Sequence, residues 1–307
     1  MVERSWHRGE FSTRAAVGHL DSVYCVQHDG TRLVSGSRDR TVRVWDARTL
    51  RPVRTLRGHE GSVLCLQYDP AGTTLVTGSS DATMAVWDLQ EGTVKRWLRA
   101  HASPVLDVRF EGGVVASCSK DCTIRIWGLE GGEVRAVMEG HNAAVNAISL
   151  TTPHLASASG DCTIKLWDLA TTRLLRDFTG HTRGLACVHL TPDGRTLVSG
   201  SNDRTIRVWD ARSGDCVRTL TGHSDLVRTL AMDHARGRCV SGSYDQSIKV
   251  WDLGSGKVMS DVRDAHASWV FHVQVDATKV VSASQDRRVA VWDFSGGVGE
   301  VAYKFVL

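Results

Sequence analysis

The chain has 307 residues, 42% of them hydrophobic, and a net charge of +3 from 37 basic and 34 acidic side chains. That near balance argues against a general nucleic-acid binder, which normally carries a basic excess or stripe, and no apolar run reaches the roughly 18 residues of a membrane-spanning helix. The opening MVERSWHRGE has no apolar centre of the secretory type, so the expectation is a soluble chain of the cytoplasm, the nucleus or both.

Residues 1–17 read as a tail ending in a β-patterned segment, FSTRAAV (11–17). Beyond it one phrase recurs seven times: SRDRTVRVWD (37–46), SSDATMAVWD (79–88), SKDCTIRIWG (119–128), SGDCTIKLWD (159–168), SNDRTIRVWD (201–210), SYDQSIKVWD (243–252) and SQDRRVAVWD (284–293). Gaps between its tryptophans are 42, 40, 40, 42, 42 and 41 residues. Each repeat opens with Gly-His or Ala-His, at His19, His59, His101, His141, His181, His223 and His266. A period of about 40–45 residues closing on Trp-Asp is the signature of a propeller blade. The predicted fold is all-β, a seven-bladed WD-repeat β-propeller over 18–307, with 1–17 as tail and possible closing strand.

Within the second repeat, VLCLQYD (63–69), TLVTGS (74–79), TMAVWDL (83–89) and VKRWL (94–98) read as four strands between Gly, Asp and Pro turns. A lone blade exposes both faces, so stability requires stacking into a closed ring. Either FSTRAAV (11–17) or VAYKFVL (301–307) can complete the seventh blade. The expectation favours the first, with the second packed beside it.

The His, the turn Asp, a strand Ser or Thr and the Trp recur together, as His59, Asp81, Thr77 and Trp87 in the second repeat. They are expected to form one hydrogen-bonded set, with the indole buried against the following blade. Ser, His and Asp in company resemble a hydrolase triad. Sevenfold recurrence assigns them to the scaffold instead, because an active site is unique, and no catalytic residue is expected. The eight cysteines lie mostly in apolar strands, without zinc-like pairing to histidine. They read as reduced core residues, and neither metal nor cofactor is expected.

Positions that vary from repeat to repeat, yet share one location, are where a ligand is read. Three such sets should meet at one mouth of the channel. The first is Ser22, Ser62, Pro104, Ala144, Gly184, Leu226 and Trp269. The second is Tyr24, Leu64, Leu106, Asn146, Ala186, Arg228 and Phe271, and the third is Arg38, Ser80, Lys120, Gly160, Asn202, Tyr244 and Gln285. They hold three cations and no carboxylate. Arg183 lies one residue further out and adds a fourth cation, partly offset by Asp21 and Asp225. Tyr24, Arg38, Ser62 and Ser80 offer a guanidinium with three hydroxyls, a set suited to phosphate oxygens. Arg183, Gly184 and Asn202 form a second donor group, Arg228 and Tyr244 a third, and Leu106, Leu226 and Ala186 an apolar floor.

At these positions the chain resembles the beta-transducin-repeat-containing F-box proteins (beta-TrCP). The likeness is carried by GSVLCLQYD (61–69), TGSSD (77–81), CSKD (118–121), AAVN (143–146), SASGDCTIKLW (157–167), the Arg183-Gly184 pair, LVR (226–228) and YDQSIKVWDL (244–253), in register from about 18 to 293. The resemblance implies a receptor for a doubly phosphorylated Asp-Ser-Gly-x-x-Ser segment, presented for ubiquitination. By that likeness Tyr24, Arg38, Ser62 and Ser80 hold the first phosphoserine, and Arg183 with Gly184 the second. Arg228 and Tyr244 face the motif's aspartate, while Leu106, Lys120, Asn146, Gly160 and Leu226 line the groove. Two positions depart: Asn202 replaces the family's serine, and Trp269 replaces an arginine. Those departures imply either looser reading of the second half of the motif or a preference for a hydrophobic flank.

The F-box has no counterpart in these residues, although SWHRGEF (5–11) resembles the segment that follows one. The expectation is a propeller cut from a longer protein or a free-standing relative. In the first case the partners include a Skp-type adaptor and a cullin-RING ligase. The competing readings are a non-catalytic WD-repeat scaffold for an unmodified acidic or hydrophobic partner, which Trp269, Phe271 and Tyr24 would suit, and a propeller enzyme, for which a unique nucleophile is lacking.

Overall fold

The computed structural model describes residues 5, 6 and 9–295. They form 28 strands in seven antiparallel four-stranded sheets arranged as blades, with a single turn of 3-10 helix at His234–Arg236. Six blades each use four consecutive strands, running from channel to rim in chain order. In the second blade these are Val63–Tyr68, Thr74–Ser79, Thr83–Asp88 and Thr93–Arg99, within one residue of the predicted runs at every boundary. The last blade takes Val270–Val275, Lys279–Ser284 and Arg288–Asp293, and its outer strand comes from the start of the chain. That strand, Ser12–Val17, pairs Ser12 with Asp293 and Val17 with Arg288. The other segment considered for this role, 301–307, lies outside the described residues.

The core is divided among the seams between blades. Trp127 packs with Val76, Met84, Val86 and Leu98 of the second blade, and Trp209 with Ile164, Leu166 and Phe178 of the fourth. Each repeat tryptophan therefore buries against the preceding blade, not the following one as the sequence reading had it. The cause is local. A hydrogen bond within its own repeat fixes the indole N–H edge, and the benzo end then slides beneath the glycine closing the preceding blade. At Gly58 an added Cβ would lie 3.1 Å from Cη2 of Trp87.

The recurrent polar set forms in all seven blades. In the third, His101 Nδ1 lies 2.8 Å from Asp121, His101 Nε2 2.8 Å from Ser117 Oγ, and Trp127 Nε1 donates to Ser117 Oγ at 2.8 Å. An ionised Asp only accepts, so Nδ1 carries the proton and Nε2 accepts from the serine hydroxyl. Burial lowers the pKa of His101, His141 and His181, against the raising effect of their Asp partners, and so favours this neutral form. Burial alone would raise the carboxyl of Asp121. Hydrogen bonds from Thr123, His101 and the backbone N–H groups of Thr123 and Ala102 instead hold it at about 2.

On the channel wall, side chains clip one inner strand to the next. Gln27 accepts the Tyr68 N–H at 2.7 Å and donates to the Tyr68 carbonyl at 3.0 Å. Gln67 does the same to Phe110, and Gln274 to His28 across the seam where the ring closes. His189 and His272 also line the channel, and each is held at about 3, first by burial and then by neighbouring charge that includes Arg109.

An acid response follows. Between about 6.5 and 3 the unfolded chain protonates these histidines and the fold does not, so stability falls as pH is lowered through that window. As the pH falls through the ordinary carboxylate range, the turn aspartates, which hydrogen bonds hold below that range, add a second loss of the same sign. Thermal melts from pH 7 to pH 4 should show the melting temperature declining from about pH 6.5 downward. A flat profile between pH 7 and pH 5 would contradict the neutral assignment.

Candidate functional site

One backbone contact organises the mouth. In every blade the N–H of the third-set residue donates to the carbonyl of the first-set residue. The pairs are Arg38 to Ser22, Ser80 to Ser62, Lys120 to Pro104, Gly160 to Ala144, Asn202 to Gly184, Tyr244 to Leu226 and Gln285 to Trp269, all at 2.9–3.0 Å. The turn between the second and third strands is thereby tied to the loop that enters the inner strand. All seven second-set residues, from Tyr24 through Phe271, line the neck of the channel. The variable positions thus occupy one end of the ring.

A cleft opens there across the third to sixth blades. It is lined by Leu106, Asn146, Gly160, Gly184, Leu185, Ala186, Asn202, Asp225, Leu226, Arg228 and Tyr244, eight of which are among the fifteen positions compared with the F-box family. Leu106, Leu185, Ala186 and Leu226 are its apolar lining. The neck below shares Leu106, Asn146, Ala186 and Arg228 with the cleft and adds Tyr24. Asn146 Nδ2 donates to the Leu185 carbonyl at 2.7 Å, and Arg228 to the Ala186 carbonyl at 3.3 Å, so both side chains are braced against the fifth blade. Gly184 permits a close backbone approach at the mouth: a Cβ there would lie 3.0 Å from the Cα of Gly160.

The other six of those fifteen, Arg38, Ser62, Ser80, Lys120, Arg183 and Trp269, line neither the cleft nor the neck and stand on the rim. Ser80 Oγ accepts the Ser62 N–H at 2.8 Å, which leaves its own proton to donate. The exposed Arg38 guanidinium has Asp21 beside it at 3.8 Å. Arg38 therefore does not stand free of carboxylates, and Asp225 sits in the cleft with Arg228. Burial raises the Tyr24 hydroxyl pKa, while Arg38 and Arg228 both pull it down and Asp21 and Tyr244 push it up. This one phenol lies within electrostatic reach of groups from the first and sixth blades. Lys120 and Arg183 project into solvent, and neither lines the cleft or the neck. The donor group expected from Arg183, Gly184 and Asn202 is joined through backbone only.

Trp269 is stacked on Tyr244, centroids 4.4 Å apart and planes 4° from parallel. Phe271 stands edge-on to both, and Tyr24 packs on Phe271 at 4.9 Å. Sequence reasoning missed Asp107 and Arg109, which enter the neck as an ion pair at 3.1 Å. Burial raises the Asp107 carboxyl, opposed by Arg109 and by the backbone N–H groups of Ile148 and Val108. Its signal was a carboxylate in a column otherwise held by Cys25, Cys65, Ala147, Cys187, Thr229 and His272. Among the described residues, no group of three or more His, Cys, Asp or Glu side chains is placed to hold a metal ion, and no helix is long and apolar enough to cross a membrane.

Seven consecutive matches to the WD domain, G-beta repeat model cover residues 12–46, 50–88, 92–128, 132–168, 172–210, 214–252 and 258–293, so the chain belongs to that family. Within it, a 64-residue stretch, 20% of the chain, is 42% identical to the F-box/WD repeat-containing protein lin-23 of Caenorhabditis elegans. Stretches of the same length are 39% identical to F-box and WD repeat domain-containing 11-A of Danio rerio and to Ribosome assembly protein 4 of Saccharomyces cerevisiae. These matches span only 10%, 11% and 12% of the respective relatives. The chain is a WD-repeat propeller with partial similarity to F-box/WD proteins.

Proposed function

We propose that this propeller is the substrate-recognition module of an SCF-type ubiquitin ligase of the beta-TrCP kind. It binds a doubly phosphorylated Asp-Ser-Gly-x-x-Ser-like segment across the mouth. The observation that carries the reading is that Tyr24 and Arg228, from two blades, line one neck, with Arg38 on the adjoining turn tied to the Ser22 carbonyl. A phosphate brings about −1.5 to −2 charges and three strong acceptors. Arg38, Tyr24 and the hydroxyls of Ser62 and Ser80 supply the first phosphate with donors. Gly184 and the Asn202 amide, with Arg183 swinging in from the rim, receive the second. Arg228 and Tyr244 face the aspartate, and Leu106, Asn146, Gly160 and Leu226 support the backbone between, with Lys120 at the edge. The role is recognition without catalysis, in the cytoplasm or nucleus. A Skp-type adaptor and cullin-RING ligase act through an F-box when one is joined to this propeller.

Calorimetric titration of this chain with the doubly phosphorylated peptide and its unmodified twin tests the reading. Two or three charge-assisted hydrogen bonds, each contributing about 1.5–3 kcal/mol, correspond to a preference of roughly 100-fold or more. Equal affinities would sink the proposal and favour a scaffold for an unmodified partner.

A further inference from the structure

The aromatic run at the mouth has a direction and an open face. Tyr244 of the sixth blade, Trp269 and Phe271 of the seventh and Tyr24 of the first touch in sequence, so four rings from three blades make one ledge. Trp269 spends its inner face on Tyr244, and the edge of Phe271 limits its rotation. Its loop is held as well: the Gln285 N–H donates to the Trp269 carbonyl at 3.0 Å, and Ser268 Oγ donates to Gln285 Oε1 at 2.6 Å. Even so, Trp269 remains 41% exposed. A large indole pinned in place with one face to solvent is the kind of anchor on which binding energy concentrates. The ledge runs into the cleft through Tyr244 and into the neck through Tyr24.

We propose that this ledge is a specificity element in its own right, which takes a large apolar or aromatic side chain of the bound segment within a few residues of its phosphorylated group. The proposal rests on reading the mouth as a phosphopeptide site. Charge selects the occupant. An aromatic face also attracts cations, but Arg228 lines the neck with Tyr24 and Phe271 and Arg38 stands on the turn tied to Ser22, two residues before Tyr24; both repel one, although Asp21 and Asp225 temper them. The same guanidiniums attract the phosphate. The segment that fits is therefore one with an anionic group and a bulky uncharged side chain close together.

The test uses doubly phosphorylated peptides bearing Phe, Leu, Ala or Lys at each flanking position, titrated against the full chain and its Trp269→Ala and Trp269→Phe variants. At one flanking position the wild type should bind the Phe peptide about tenfold more tightly than the Ala peptide. Trp269→Phe should keep most of that preference. Trp269→Ala should abolish it, with an unchanged melting temperature and an intact preference for phosphorylated over unmodified peptide. Equal binding of Phe and Ala peptides at every position, a preference for Lys, or a Phe preference that survives Trp269→Ala would overturn the proposal. Failure of the phosphate reading looks different: unmodified peptides would bind as well as phosphorylated ones, while the Phe preference persisted.

Discussion

Replacing Arg38 by alanine should weaken the doubly phosphorylated peptide by roughly 30- to 100-fold, leave the unmodified peptide unchanged and cost no melting temperature. The binding loss follows from removing a charge-assisted donor of about 2–3 kcal/mol. Stability is spared because the Arg38 side chain is 60% exposed, and its ion pair with Asp21, at 3.8 Å, is long and solvated. Asp21 competes with an incoming phosphate for that guanidinium. Asp21→Asn should therefore tighten the phosphorylated peptide several-fold, since Asn still accepts the Ser22 N–H that Asp21 Oδ1 accepts at 2.7 Å. Both effects should shrink in high salt, where exposed charges are screened. A chain in which Arg38→Ala melts several degrees lower and binds as before would place Arg38 in the framework and empty the first phosphate position.

Removing residues 1–17 should cost roughly 5 kcal/mol or more, comparable with the whole stability of a typical domain. The deletion strips the outer strand Ser12–Val17 from Arg288–Asp293 and leaves that strand as an uncovered edge. It also takes away Trp6, Phe11 and Ala16, which are all buried. Trp6 stacks on Phe294 at 3.8 Å, and Phe11 meets Trp292 edge-on at 5.5 Å, so the seam between the sixth and seventh blades loses its outer plug. Size-exclusion chromatography and thermal melts should show an aggregating chain with a broadened, lowered transition. A truncated chain that stays monomeric and melts within a few degrees of the parent would mean that the first strand adds little to closure.

Repetition made most of the architecture legible. Seven copies of one pattern exposed the blade, its strand boundaries and the four-member polar set, because a residue needed seven times stands out from residues needed once. The same subtraction brought together the variable positions, whose shared location rests on a backbone bond that does not depend on side-chain identity. What the sequence concealed depends on neighbours from different repeats. The tryptophans were visibly buried, yet the side to which they turn is set by the residue ahead of them and by the serine or threonine that fixes the indole edge. Trp269 was visible as a lost cation, but its stack on Tyr244 joins two blades and has no sequence spacing to betray it. Asp21 beside Arg38 depends on rotamers at a rim, and the Gln27, Gln67 and Gln274 clips on strand-to-strand placement. Lys120 and Arg183 carry the right charge in the right loops, and only their extension into solvent separates them from the residues that line the cleft.

The borrowed outer strand also sets a schedule for synthesis. Because Ser12 pairs with Asp293, the first β-segment of the propeller to be synthesised waits for roughly 280 further residues, about 15–55 s at ordinary elongation rates. Throughout that interval its edge and the faces of the growing stack stay open to other nascent chains. Circularisation is the final event, so a molecule stalled or cleaved shortly before the last Trp-Asp is an open arc with an unclaimed strand at one end and a vacant berth at the other, equipped to exchange that strand with a second copy.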